Sequence, residues 1–188
     1  MSFFEELTVG KLAVFGGGNL GASPVLPSVV VKHKQIGHKV STTFTLTNVP
    51  LTITNALKYA GLLLWTFPQG RIIVEGATAT LNETTTSVVA NIGASPVASV
   101  GSAAATATTL SGTMVSLIPS TALPVSATIN VAATTNLSAP LAASTQLDGN
   151  TTAIPVYLNV ALPNQVTNDA TATFSGQITI HWANLGTY

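Results

Sequence analysis

The residues best spaced for chemistry are glycines. Gly16-Gly17-Gly18-Asn19-Leu20-Gly21 matches the dinucleotide spelling G-x-G-x-x-G and follows the run Lys11 to Phe15. In a dinucleotide site the glycines lead into a helix, whose first N–H groups meet the pyrophosphate. Here Pro24 and Pro27 follow instead. No acidic residue lies about 20 positions on to hold a ribose hydroxyl. The segment therefore reads as a glycine hinge, and no cofactor is expected.

His33 and His38 could offer imidazoles to a metal, but a metal site needs at least three converging donors. No Asp, Glu or Cys is near them in sequence, and Lys32, Lys34 and Lys39 would repel a cation. The stretch reads as a solvated basic patch, with no metal expected. Serines are plentiful, yet no Gly-x-Ser-x-Gly elbow occurs. Glu75, Glu83, Asp148 and Asp169 are scattered, and Asp148-Gly149 reads as a turn. The chain has no Cys, which removes thiolate catalysis, thiolate metal sites and disulfides together. No catalytic residue is assigned, and the chain is not expected to be an enzyme. Asn82-Glu83-Thr84, Asn136-Leu137-Ser138 and Asn150-Thr151-Thr152 spell glycosylation acceptors. With no signal peptide in view, and in so Thr-rich a chain, they read as coincidence. The Thr-x-Thr pairs at Thr78, Thr106 and Thr171 have no fixed period and read as ordinary exposed strand threonines.

The elements that would position such residues are strands. Thr and Val, stiff at χ1, fit a pleated surface better than a helix. Gly and Pro punctuate the chain at short intervals. Period-two alternation places Val40, Phe44 and Leu46 on one face, with Thr43, Thr45 and Thr47 on the other. Val125, Ala127, Ile129 and Val131 form a second apolar face. Ile154, Val156, Leu158 and Val160 form a third, opposite Tyr157 and Asn159. The last strand puts Ala170, Ala172, Phe174, Ile178, Ile180 and Trp182 inward and His181 outward among threonines. Leu62 to Phe67 and Arg71 to Leu81 are apolar on both faces, which predicts cover on both sides. Pro68-Gln69-Gly70 between them is a turn. Asn55 to Ala60 is the one plausible helical turn. About ten strands at this spacing predict an all-β chain, a two-sheet antiparallel β-sandwich of jelly-roll type with an extended N-terminal arm.

The division expected is an arm over residues 1–28 and a sandwich over 29–188. The arm's Gly and Pro residues cannot hold a continuous ladder, yet it is not a polar linker. Its apolar anchors Phe3, Phe4, Phe15, Leu20, Val25 and Leu26 are the candidate partner-binding residues. They predict docking on a neighbouring subunit and not on the chain's own sandwich. Gly21 to Val25 and Gly93 to Val97 both read Gly-Ala-Ser-Pro-Val, which predicts a shared turn.

Charge bounds the partners. Only 6% of the 188 residues are Asp, Glu, Lys or Arg, against about 25% in ordinary soluble domains. Formal net charge is zero, so nothing follows a phosphate backbone and no nucleic acid is expected. Mean hydropathy is +0.49. The richest apolar stretch, Leu57 to Phe67, holds Lys58 and falls short of the roughly 20 residues a spanning helix needs. No membrane is expected. A charge-poor, apolar chain then predicts a surface largely covered in an assembly.

Ile53-Thr54-Asn55-Ala56-Leu57, Thr66-Phe67-Pro68-Gln69-Gly70-Arg71-Ile72, Ser111-Gly112-Thr113-Met114-Val115 and Ser175-Gly176-Gln177-Ile178-Thr179-Ile180 carry a resemblance. From about Val29 onward the chain resembles the capsid decoration, or cement, proteins of tailed bacteriophages. That resemblance implies a jelly-roll or related sandwich and a place on the capsid surface of the virion. It also implies the major capsid protein as partner and self-association, with a homotrimer preferred and a dimer possible. It supplies no functional residue. The alternative is a trimeric fibre or receptor-binding head of a virion. That would call for an exposed aromatic or polar cluster, whereas Trp65 and Trp182 sit on apolar faces.

Overall fold

The computed structural model describes residues 7–8, 20–24, 26–85, 96–123, 132–139, 145–164 and 168–186. Eleven strands run in chain order: β1 (Leu7–Thr8), β2 (Val29–Ile36), β3 (Lys39–Ile53), β4 (Tyr59–Thr66), β5 (Gly70–Thr85) and β6 (Val97–Gly101), then β7 (Ile118–Ala122), β8 (Ala132–Ala139), β9 (Thr145–Gly149), β10 (Pro155–Ala161) and β11 (Ala170–Asn184). The helix among the described residues is a single 3₁₀ turn, Gly112–Val115. The expected turn at 55–60 is one α-type turn, closed by Lys58 N donating to Thr54 O at 2.8 Å. Lys58 stops it with φ +63°.

The strands form two antiparallel sheets packed as a sandwich. The larger runs β1-β2-β3-β11-β5-β8, with β9 also on β5; the smaller runs β4-β10-β6-β7. β9 pairs with Gly70–Val74 and β8 with Ala77–Thr84, so these two act as one interrupted strand along β5. Counting them as one, β3 to β11 make eight strands. The first, eighth, third and sixth share one sheet, and the second, seventh, fourth and fifth share the other. That is the jelly-roll connectivity of two Greek keys, here widened by β1 and β2 beyond β3.

Alternation fixes which faces meet. On β11, Ala170, Ala172, Phe174, Ile178, Ile180 and Trp182 are buried, as are Val40, Phe44 and Leu46 on β3 and Val156, Leu158 and Val160 on β10. They join one core with Leu64, Trp65, Phe67, Ile72, Val74 and Leu81. Each large side chain buried there contributes about 1.5–3 kcal/mol. β11 lies between β3 and β5 over nearly its whole length. Two bulges hold its register, because a one-residue slip would turn every inward residue outward. At one, β3 carries an extra residue opposite Ser175. Asn48 turns there with φ +51°; its N–H donates to Ser175 Oγ at 2.9 Å, and Ser175 Oγ donates to Asn48 Oδ1 at 3.1 Å. At the other, β5 carries Glu75 as its extra residue, between the partners of His181 and Trp182.

Three expectations are corrected. Cover on both faces does not extend along β5: Ala77, Ala79 and Leu81 are buried while Thr78 and Thr80 are exposed, because no described element lies over the outer face of the large sheet. Thr106 and Thr108 lie in a loop, not a strand. The third concerns the arm. Its described residues lie on their own sandwich. β1 pairs with β2, Leu7 opposite His33. Ala22 N donates to Thr66 O at 2.9 Å, and Thr66 N donates to Ala22 O at 2.7 Å. Leu20 packs against the core. The physical reason is the open edge of β4, whose backbone groups need partners. Phe3, Phe4, Phe15 and Val25, the strand expected at Val125 to Val131, and the turn at Gly93 lie outside the described residues.

Candidate interaction surface and buried polar sites

The outer face of the large sheet is built from transverse rows of directly paired residues. Lys32, Thr43, Thr179 and Thr78 make one row; Val30, Thr45, Gln177 and Thr80 the next; Lys34, Ser41, His181 and Gly76 a third. Ser175 faces Asn82, and Thr173 faces Thr84. Across the three central strands these outward positions are Thr, Ser, Gln, Asn and Gly, with His181 the one titratable residue among them. Thr43 and Thr179 hydroxyls meet at 3.2 Å. The charges lie at the margin, where Lys39 Nζ sits 3.0 Å from Glu75 Oε1.

At one end of the sandwich, rings fill the core. Trp65 lies 4.6 Å from Phe67, 5.5 Å from Trp182 and 5.6 Å from His33, between ring centroids. The fully buried Thr42 hydroxyl links two of them. It accepts from Trp182 Nε1 at 2.8 Å and lies 2.9 Å from His33 Nδ1. The hydroxyl can donate to an unprotonated Nδ1 or accept from a protonated one, so the His33 tautomer sets the direction of that bond. Burial lowers the His33 pKa from its ordinary value. His33 is thus a core histidine by one nitrogen, not the solvated residue expected, while His181 is exposed as expected. Trp65 Nε1 is buried without an acceptor.

Gly21, the last glycine of the nucleotide-like spelling, has a different task. It lies on the Trp65 ring with φ +92°, and a Cβ there would overlap both that ring and the Thr66 carbonyl oxygen. Only glycine lets the arm backbone approach β4 so closely. Ser23 Oγ then donates to Leu64 O at 3.1 Å. Leu26 is half-buried, and its carbonyl closes the turn into β2 by accepting from Val29 N at 3.0 Å. Gly16 to Gly18 lie outside the described residues.

Two buried polar residues escaped the sequence reading. Asn159, placed by alternation on a solvent face, is fully buried. Its Oδ1 accepts from Ala105 N at 2.8 Å, and its Nδ2 donates to Ala103 O and Met114 O, each at 2.9 Å. It pins the loop between β6 and β7 over the outer face of the small sheet. Glu83 points inward from β5 and is only 2% exposed. Its Oε1 has no hydrogen-bond partner, and burial raises its pKa to about 7. Among the described residues no three His, Asp or Glu side chains gather as a metal site, and no helix is long and apolar enough to cross a membrane.

No family model matches this sequence. No curated protein matches it. Two solved structures of infectious bursal disease virus are similar in fold. The Gt strain structure gives 12% identity and a TM-score of 0.40, covering 91% of this chain and 39% of that one. The Gx strain structure gives 11% and 0.38, covering 95% and 46%. This chain therefore spans less than half the length of either of those two chains.

Proposed function

We propose that this protein is a structural component of a virus particle, and that it cements neighbouring capsomers from outside a bacteriophage capsid. The observation that carries this reading is the outer face of the large sheet. A face left in water is ordinarily strewn with charge, which keeps a free domain soluble. Here the three central strands present hydroxyls and amides. Such groups hydrogen-bond a neighbour's surface at a smaller desolvation cost than charges. The jelly-roll connectivity is compatible with this reading, since capsid domains use it, but unrelated functions use it too. The partners would be the major capsid protein and other copies of this chain, as a trimer. Cementing follows by linkage: a protein that binds the assembled shell and not free subunits stabilises the shell, and many weak contacts add.

The test adds purified full-length chain to undecorated shells of its source phage and counts bound copies. Saturable decoration and a higher shell disassembly temperature are expected. Thr80→Lys, at an exposed site in the middle of the face, should weaken decoration at least tenfold by burying an unpaired charge. Decoration unchanged by Thr80→Lys would remove this face from the reading; no decoration at all would end the reading itself.

A further inference from the structure

The core closes differently at the two ends of the sandwich. Where β5 ends, Glu83 stands between Phe174 of β11 and Ala133 of β8 in register, with its carboxyl turned between the sheets. Around it is a small pocket lined by Pro96, Leu123, Leu162, Ala170 and Ala172, with Thr171 at its rim. The pocket has room for about one water molecule. A carboxyl nine-tenths buried, with one oxygen unpartnered, aimed into an almost wholly apolar pocket, is stable only when neutral.

Among the described residues no charge balances it. The desolvation that raises its pKa is the sole cause acting on it. Two charged residues, Asp169 just before β11 and Lys58 just before β4, flank this end of the sandwich. The Asp169 carboxylate already accepts from Asn55 N at 2.8 Å. Lys58 meets this end through its backbone, its carbonyl accepting from Leu162 N at 2.8 Å. The connections that leave from this end, 86–95 and 124–131, contain no titratable residue.

We propose that the Glu83 carboxyl is a proton-operated latch: neutral, it lets the two sheets close over the pocket; ionised, it draws in water and releases the adjoining ends of β5, β6, β7 and β11. The latch belongs to this fold whether or not the chain decorates capsids. It would make this end of the sandwich tight in mildly acidic surroundings and loose in mildly alkaline ones.

Amide hydrogen exchange on the full-length protein tests it, at pH 5.5 and pH 8, corrected for the intrinsic pH dependence of exchange and repeated in low urea. In the wild type, protection at residues 97–100 and 170–174 should fall roughly 30-fold from pH 5.5 to pH 8, since a group titrating near 7 folded and 4.5 unfolded gives that ratio. At pH 8 this exchange should not respond to urea, as local opening exposes little surface. Glu83→Gln should keep the low-pH protection at both pH values. Glu83→Met, apolar and similar in length, should do the same if the glutamine variant folds poorly. An equal fall in wild type and variant, no fall in the wild type, or exchange at pH 8 with the full urea dependence of global unfolding would each overturn the latch.

Discussion

The two ends of the sandwich are built from the same strands and solve the same problem in opposite ways. Along β11, Trp182 and Ala172 are ten residues apart, roughly 30 Å. Around Trp182 the gap between sheets is filled by rings in mutual contact. The one fully buried hydroxyl among them, Thr42, has a partner on each side. Around Ala172 a pocket remains, and the buried polar group lacks a partner for one oxygen. The lesson is that burial alone does not set the worth of a polar group. Thr42 gains from being inside because its bonds are complete, whereas Glu83 is a cost whenever it carries charge.

The sharpest way to break this comparison is at the ring-filled end. Trp182→Ala removes a ring packed on Trp65 and Phe67, and also the donor to Thr42. It should cost about 3–5 kcal/mol in urea unfolding. A cost below about 1 kcal/mol would mean that this end is not the anchor of the fold.

Next in size is Glu83→Gln, with the opposite sign. Glu83 binds its proton more tightly in the folded state, so its contribution is intact below the ordinary value of 4.5 and is lost as pH rises through about 7. The variant should therefore be more stable than wild type at pH 8 by up to about 3 kcal/mol, and no more stable at pH 4. His33 runs the other way. Its pKa is lowered by burial, so its contribution is present above the ordinary value of 6.5 and is lost as pH falls. Below pH 6.5 the two slopes oppose each other, and above it only the Glu83 loss continues, so Glu83→Gln should remove the fall toward alkaline pH and leave the His33 loss on the acid side. Stability curves measured across pH 4–9 check both.

Thr42→Val should cost about 1–3 kcal/mol, by leaving Trp182 Nε1 and His33 Nδ1 without their shared partner. A red or blue shift of tryptophan emission should accompany it, because the indole N–H changes environment. The smallest effect is expected at Lys39→Ala. Its pair with Glu75 lies in water, with side chains 58% and 35% exposed, and the change in unfolding free energy should stay under about 0.5 kcal/mol.

Much of the architecture was legible because alternation is a local signal. Each inward residue of β11 could be named from spacing alone, as could Val40, Phe44 and Leu46 of β3 and Val156, Leu158 and Val160 of β10, and the described residues hold eleven strands against about ten expected. What covers a face is not local. Asn159 keeps the phase of a solvent residue and is buried only because a loop from 50 residues earlier folds over it. Leu62 to Leu81 read as doubly apolar, yet half of that stretch lies under no cover. The arm misled for a related reason. Its glycines and prolines do break a ladder, but Gly21 also permits one close approach to Trp65, and a single bridge at Ala22 is enough to bring that part home. Glu83 was visible as a carboxylate; its sequence neighbourhood gave no sign that the other sheet would close above it.

The place of β11 has a consequence in time. This strand lies in the middle of the larger sheet and is the last of the described strands in chain order. β3 and β5, which it joins, are complete by Thr85. About 100 residues must still be added before Asn184 emerges, which at roughly 5–20 residues per second takes on the order of ten seconds. During that interval the nascent chain holds two long strands, each with an unfilled edge, and the stretch made meanwhile carries no charge from Thr84 to Leu147. Open strand edges are the ones that pair with other chains. Productive folding thus depends on keeping nascent chains apart until β11 arrives, and yield on expression should rise when synthesis is spread over more cells.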